Sequence, residues 1–334
     1  MASGDLLKKL FKSYKQLDES EFYAAALEVI DEERQKKHNV LARDLQSILN
    51  NGNNKTVNNA RLVELQKMPK DRERGTLLFD LRSSDKYLPD IILGDDIRQQ
   101  VDDLLREYKS SEILRTYGLN PKRKLLFAGP PGCGKTLCAE VVAGELGLPL
   151  LYTRFDAVIS SYLGETAANL RKVFDFAQSG TWVVFFDEFD AIGKSRDDLS
   201  EHGELKRVVN TFLQLLDSFQ SDSIFIAATN HETLLDNALW RRFDDILYFE
   251  KPSIEQIKEL IKLKMASFSH RKLAIDKFSA EMSGLSHADI EHICLDAIKI
   301  SVLDGRDEVN DLIFKQALDR QVRRSELIFK SQPK

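Results

Sequence analysis

The chain has 334 residues, 43% hydrophobic and 30% charged, with both signs interspersed and a net charge of −5. That suits a soluble protein of about two domains and excludes a binder held to nucleic acid by bulk positive charge. No uncharged apolar run spans a bilayer, the opening MASGDLLKKLFKSYKQ lacks the features of a secretory leader, and the three cysteines form no CxxC pair, so a reducing compartment, the cytoplasm, is expected.

Residues 1–50 read as a helical domain. Leu6, Leu7, Leu10, Phe11, Tyr14 and Leu17 recur at helical spacing, as do Phe22, Ala26 and Ile30, then Val40, Leu41, Leu45, Ile48 and Leu49. Asp18 or Ser20 suits the cap of the second helix. The asparagine-rich NNGNNKTVNNARL and the charged MPKDRERG offer little to bury, so 51–87 reads as a linker. From 88 to 251 the pattern changes to short apolar runs bounded by turn residues and separated by helical stretches: KLLFAG, PLLYTRFD, WVVFFDE, SIFIAATN and DILYFE. Such alternation predicts an α/β domain, a parallel five-stranded sheet with helices on both faces. After Pro252 the apolar residues take helical spacing again (Ile254, Ile257, Leu260 and Ile261, then Ile290, Ile293, Cys294, Ala297 and Ile298), so 252–334 reads as a separate all-helical piece.

GPPGCGKT, at 129–136, fits G-x-x-x-x-G-K-[ST] and sits between a strand and a helix, the context that gives this motif meaning. It predicts a P-loop NTPase, with Gly129, Pro130, Pro131, Gly132, Cys133, Gly134, Lys135, Thr136 and Leu137 forming the ATP cradle. The glycines let backbone N–H groups face the phosphates, the helix N-terminus adds positive potential, and Lys135 reaches the outer phosphates. The Thr136 hydroxyl is expected on Mg²⁺. Cys133 occupies a free position of the motif and is expected to fill space. The strand WVVFFDE ends in two acids: Asp187 is expected to hold the Mg²⁺ shell, and Glu188 to orient and polarise the attacking water. IFIAATN ends at Asn230, whose amide suits the same water or the γ-phosphate, because ligands of open parallel sheets collect at the strand ends. HETLL at 231–235 starts like a zinc-protease helix, but Leu235 stands where the second histidine belongs.

These residues, over about 88–320, resemble the AAA-type ATPases, in the branch of protein unfoldases and remodellers. GPPGCGKT and VVFFDE are similar to the family's Walker pair, and ELKRVVNTFLQLLDSF to the helix that follows it. AATN resembles its sensor strand, and LLDNALWRRFDDILYFEKP its second region of homology, slightly shortened. GLSHADIEHIC resembles the start of a lid helix, with Ala288 where other branches carry arginine. The first helices resemble those of small bacterial AAA ATPases found beside subtilisin-like serine proteases, some of them in phage defence.

The resemblance implies a homo-oligomeric ring, six subunits by family expectation, with ATP and Mg²⁺ at each subunit interface. It makes Arg242, and beside it Arg241, the residues that reach across to the neighbour's γ-phosphate; the family spaces its pair three apart, and here they adjoin. The plainer alternative is a surface pair bridged to Asp244 and Asp245. Tyr162, Leu163 and Gly164 resemble the family's pore motif, which grips a polypeptide client in the central channel; the alternative is an ordinary tyrosine at a helix start. No protease motif stands in the chain, so degradation of a client falls to a separate subunit. Two other functions stay open: a regulatory ATPase that switches a partner enzyme, and, against the acidic charge, a nucleic-acid motor.

Overall fold

The computed structural model describes residues 68–71, 75–154, 158, 163–189, 202–231, 240–270 and 273–331. The chain divides into two compact units, Met1–Met68 and Pro69–Lys334, and the described elements belong to the second. The helices expected within 1–50 lie outside the described residues.

Each of the five apolar runs is a strand: β2 (Lys124–Ala128), β3 (Leu150–Arg154), β4 (Val183–Asp187), β5 (Ile224–Thr229) and β6 (Asp245–Tyr248). They pair in parallel in the order β3-β4-β5-β2-β6. A sixth strand, β1 (Asp80–Arg82), adds antiparallel to β3, so the sheet holds one strand more than the apolar runs predict. β1 falls inside the stretch read as linker. Its sequence DLR has no apolar run, and it is held by backbone pairing at an open sheet edge, which leaves no hydrophobic pattern to read.

Side chains alternate across the strands, and each face has its own helical cover. Leu125, Phe127, Val183, Phe185, Ile224 and Ile226 pack with α1 (Asp95–Lys109) and α3 (Lys135–Leu146); the short α2 (Ser111–Thr116) follows α1. α3 buries Cys138, Ala139, Val141, Val142 and Ala143, which cover just over half of its circumference, and none of its other residues is fully exposed, so it is a core helix. The other face is aromatic. Phe186 and Phe225 meet Phe174 of α4 (Leu163–Gln178) and Phe212 of α5 (His202–Ser218), with ring centroids 5.2–5.9 Å apart. Such pairs contribute about 0.5–1.5 kcal/mol each beyond the area they bury.

The C-terminal part is helical: α6 (Ile254–Lys264), α7 (Ile275–Glu281), α8 (His287–Leu303) and α9 (Asp311–Ser331). Ile257, Leu260, Ile261, Ile290, Ile293, Cys294 and Ala297 share one core with Phe278 and Phe314. Two capping boxes set where these helices start. Ser253 accepts from the Gln256 N–H and Ser286 from the Asp289 N–H, and in each case the N3 side chain answers the cap's own N–H.

Candidate active site

β2 ends at Ala128, and the loop that follows is built on left-handed glycines: Gly129 at φ 133°, Gly132 at 74° and Gly134 at 95°. Gly134 is the N-cap of α3. Left-handed residues of this kind curl successive N–H groups into a concave nest, and the positive end of α3 backs it. Gly129 also has no space for a side chain, since a Cβ there would lie 2.1 Å from the Phe249 carbonyl oxygen. Gly129→Ala is therefore expected to cost about 3 kcal/mol or more, measurable by denaturant unfolding.

Lys135 is 6% exposed, and its ammonium donates to the carbonyls of Gly129 and Pro130 at 2.6 and 2.8 Å. It is held at the mouth of the loop, between Pro130 and the start of α3. Leu137 packs half-buried against the core, and Cys133 is buried, with its thiol pKa pushed up by burial and so kept neutral.

The register of β2, β4 and β5 brings their C-terminal ends to one edge: Ala128 faces Thr229, and Phe186 faces Ala227. Asp187 therefore lies beside the cradle. Its Oδ2 accepts from the Thr136 hydroxyl at 3.2 Å and from the Tyr152 phenol at 3.0 Å, and its Oδ1 from the Glu188 N–H at 2.9 Å. Burial, and then the Asp187 charge, push the Tyr152 phenol up to about 12, so it stays a donor at neutral pH. Glu188 is exposed and sits at φ 55°, the one non-glycine left-handed residue among those described. That conformation costs about 1–2 kcal/mol. The next residue holds it: Phe189 is buried, donates its N–H to the Ala228 carbonyl at 2.9 Å and packs on Phe212 at 4.7 Å. Asn230 follows β5 at the same edge, half-buried.

The lid closes on the loop. The Ala288 N–H donates to the Gly132 carbonyl at 3.0 Å, and Ser286 Oγ stands 2.7 Å from where a Gly132 Cβ would be. Next to this contact lies a cavity of about 1030 Å³, lined among others by Ile92, Gly94, Cys133, Gln256 and His287. Burial lowers the pKa of His287, so its imidazole is neutral at pH 7.

Arg241 and Arg242 are elsewhere. They precede β6, which runs parallel to β2, so they lie at the N-terminal end of the sheet while the cradle follows the C-terminal end. About 13 Å of strand separates the two ends, which puts the cradle of their own chain out of reach. Both are exposed, and Arg242 pairs with Asp217 on α5. The alternative of a pair bridged to Asp244 and Asp245 is not what forms. Asp244 accepts from the Arg123 and Lys124 N–H groups at 2.8 and 2.9 Å, and Asp245 pairs with Lys122 at 2.8 Å. Tyr162 lies outside the described residues, and Leu163 and Gly164 are the first two residues of α4. Residues 232–235 of the HETLL stretch also lie outside them. Among the described residues no group of three or more His, Cys, Asp or Glu gathers as a metal cage, and no helix is long and apolar enough to cross a membrane.

Tyr152 lies beside Asp187 without any sequence motif to mark it, while Ser286 and His287 fall within the lid-helix stretch GLSHADIEHIC, where nothing in the sequence assigns either a role. Tyr152 lies opposite Phe185, one pleat from the Arg154–Asp187 pair, a relation that only strand register reveals.

Residues 125–251 match the sequence model of the ATPase family associated with various cellular activities (AAA). The chain is 42% identical over 327 residues, 97% of each chain, to the uncharacterized AAA family ATPase y4kL of Sinorhizobium fredii. It is 29% identical to the proteasome-activating nucleotidase of Methanococcus vannielii, over 78% of this chain and 67% of that one. It is 32% identical to the ATP-dependent zinc metalloprotease FtsH 3 of Sphaerobacter thermophilus over 67% of this chain, and spans 47% of that protein. A glycine cradle with its lysine, a strand-end carboxylate on the cradle threonine, and near full-length similarity agree: the chain belongs to the AAA family of ATPases and hydrolyses ATP.

Proposed function

We propose that this ATPase is a protein unfoldase or remodeller, working as a ring in which each nucleotide pocket is completed by the neighbouring copy. The observation that carries the ring is the position of Arg241 and Arg242, exposed at the end of the sheet away from their own cradle. A guanidinium needed at a γ-phosphate but unable to reach its own must come from another copy, in a head-to-tail contact that closes as a ring.

The residues fit MgATP. The loop has room for backbone and none for a Gly129 side chain, Lys135 stands at its mouth, and Thr136 and Asp187 are already in contact. Thr136 and Asp187 would hold Mg²⁺, with phosphates and water completing its shell, and the ion would neutralise phosphate charge. Lys135 exchanges its carbonyl partners for the outer phosphates. Glu188 takes the proton of the attacking water, and Asn230 orients that water. Arg242, with Arg241 beside it, stabilises the charge that grows on the phosphoryl group in the adjoining subunit. The cavity beside the lid receives the base and sugar, so a change of nucleotide moves the lid through Ser286 and Ala288.

The work on a client falls to Tyr162, Leu163 and Gly164. An aromatic grips an extended chain by contact area with little regard to sequence. The proteasome-activating nucleotidase and FtsH named above support a protein as the client. Tyr162→Ala is expected to keep ATPase activity within about twofold and abolish unfolding of a tagged fluorescent protein. Full unfolding by that variant would rule out threading. ATPase activity per chain is expected to fall on dilution as the ring comes apart.

A further inference from the structure

We propose that Tyr152 is a positioning residue for the magnesium-binding carboxylate, and that Arg82 of the edge strand holds Tyr152 in place. The inference rests on the nucleotide reading of this site. Asp187 Oδ2 lies between two hydroxyls, Thr136 at 3.2 Å and Tyr152 at 3.0 Å. Thr136 is a candidate ligand, and its hydroxyl would be given over to the ion. Tyr152 then remains behind the carboxylate as the side-chain donor that fixes Oδ2, while the Glu188 N–H fixes Oδ1 at 2.9 Å. A carboxylate clamped at both oxygens presents one orientation to the ion, and such outer partners set metal affinity as well as geometry.

The phenol is itself held from both sides. Its ring packs against Phe185 at 5.7 Å, and the Arg82 guanidinium lies over it, 3.6 Å from the centroid. Asp80 pairs with Tyr152 across the β1–β3 ladder, so Arg82 is the diagonal neighbour, the position from which a long side chain covers a cross-strand ring. A short charged strand at the sheet edge is thereby joined to the carboxylate that carries the ion, in the series Arg82, Tyr152, Asp187, Thr136. The hydroxyl is the feature that needs a function, since phenylalanine would fill the same space against Phe185.

The test is a Mg²⁺ titration of the full chain, following fluorescent ATP binding and turnover, with ATP affinity measured separately in EDTA. Tyr152→Phe keeps the ring and loses the hydroxyl. The Mg²⁺ concentration at half-saturation is expected to rise about tenfold while affinity in EDTA stays unchanged. Arg82→Ala is expected to shift it the same way by less, and Arg82→Lys to restore most of it. Wild-type Mg²⁺ dependence in Tyr152→Phe would overturn the proposal and leave the nucleotide reading intact, provided Lys135→Ala still loses ATP. An equal loss of affinity in EDTA would also overturn it, because the phenol would then serve packing. A wild-type chain without Mg²⁺-dependent ATP binding would remove both readings.

Discussion

Glu188→Gln is expected to bind ATP as tightly as the wild type and to hydrolyse it about 10²- to 10⁴-fold more slowly, the range associated with loss of a general base. The exchange keeps size and shape and removes the ability to accept a proton. Two carboxylates stand at the end of β4, and their surroundings support the proposed division of roles. Asp187 already accepts from Thr136, Tyr152 and the Glu188 N–H, which hold it in one position. Glu188 is exposed, turned out of the sheet by its left-handed backbone. Buried Phe189 maintains that turn, and its packing on Phe212 and its bond to Ala228 offset the cost of the strained residue. Phosphate release measured beside a fluorescent-ATP binding curve separates the two effects. Turnover within about threefold of wild type would assign the base to another residue.

Arg242→Ala is expected to retain ATP binding and lose about 10³-fold in hydrolysis, the lower end of what a guanidinium supplied across an interface contributes. The structural competitor is the ion pair with Asp217. Both side chains of that pair are about 40% exposed, at 42% and 43%, and a pair of that kind contributes about 0–1 kcal/mol. Its loss therefore leaves the fold intact, and thermal unfolding of Arg242→Ala should lie close to wild type. Asp217→Asn breaks the same pair and spares the guanidinium, so it should hydrolyse normally. Arg242→Lys should rescue poorly, because a point charge does not reproduce the planar fork. Mixing distinguishes an arginine that works across the interface from one that works within its own chain. Arg242→Ala chains have intact pockets and no finger; Glu188→Gln chains have a finger and a dead pocket. Mixed rings should regain activity that neither variant has alone, and a mixture as inactive as its parts would refute sharing of the site.

The five parallel strands, the cradle and the lid core were legible because each is written in local pattern. Runs such as KLLFA and VVFFD alternate between two buried faces, so both sets of side chains are apolar and the run reads as a strand of a covered parallel sheet. The cradle glycines are readable for a different reason: Gly129 and Gly134 occupy backbone conformations that other residues enter only at a cost. β1 was not legible, since three residues held by backbone pairing at an edge leave no apolar signature. Nor was Tyr152, whose neighbours in sequence are ordinary strand residues and whose function comes from a partner on another strand.

By itself the sequence determined the reaction class, because phosphate binding depends on a contiguous loop whose glycines, lysine and threonine must follow one another in order. Asp187, Glu188 and Asn230 were also legible from their strand ends; only the tertiary structure decided how Asp187 is held and which lid residues meet the loop. The strand order β3-β4-β5-β2-β6 brings Asp187 and Tyr152 to Thr136, the packing of the helical lid seats Ser286 and Ala288 on Gly132, and the direction of β6 leaves Arg242 at the far end of the sheet. Strand order and register arise from how whole faces pack together. No local run of residues encodes them, so the clamp on Asp187 cannot be read before the chain is folded; arginines working away from their own cradle were implied by the family resemblance, and the direction of β6 beside β2 supplies the geometry.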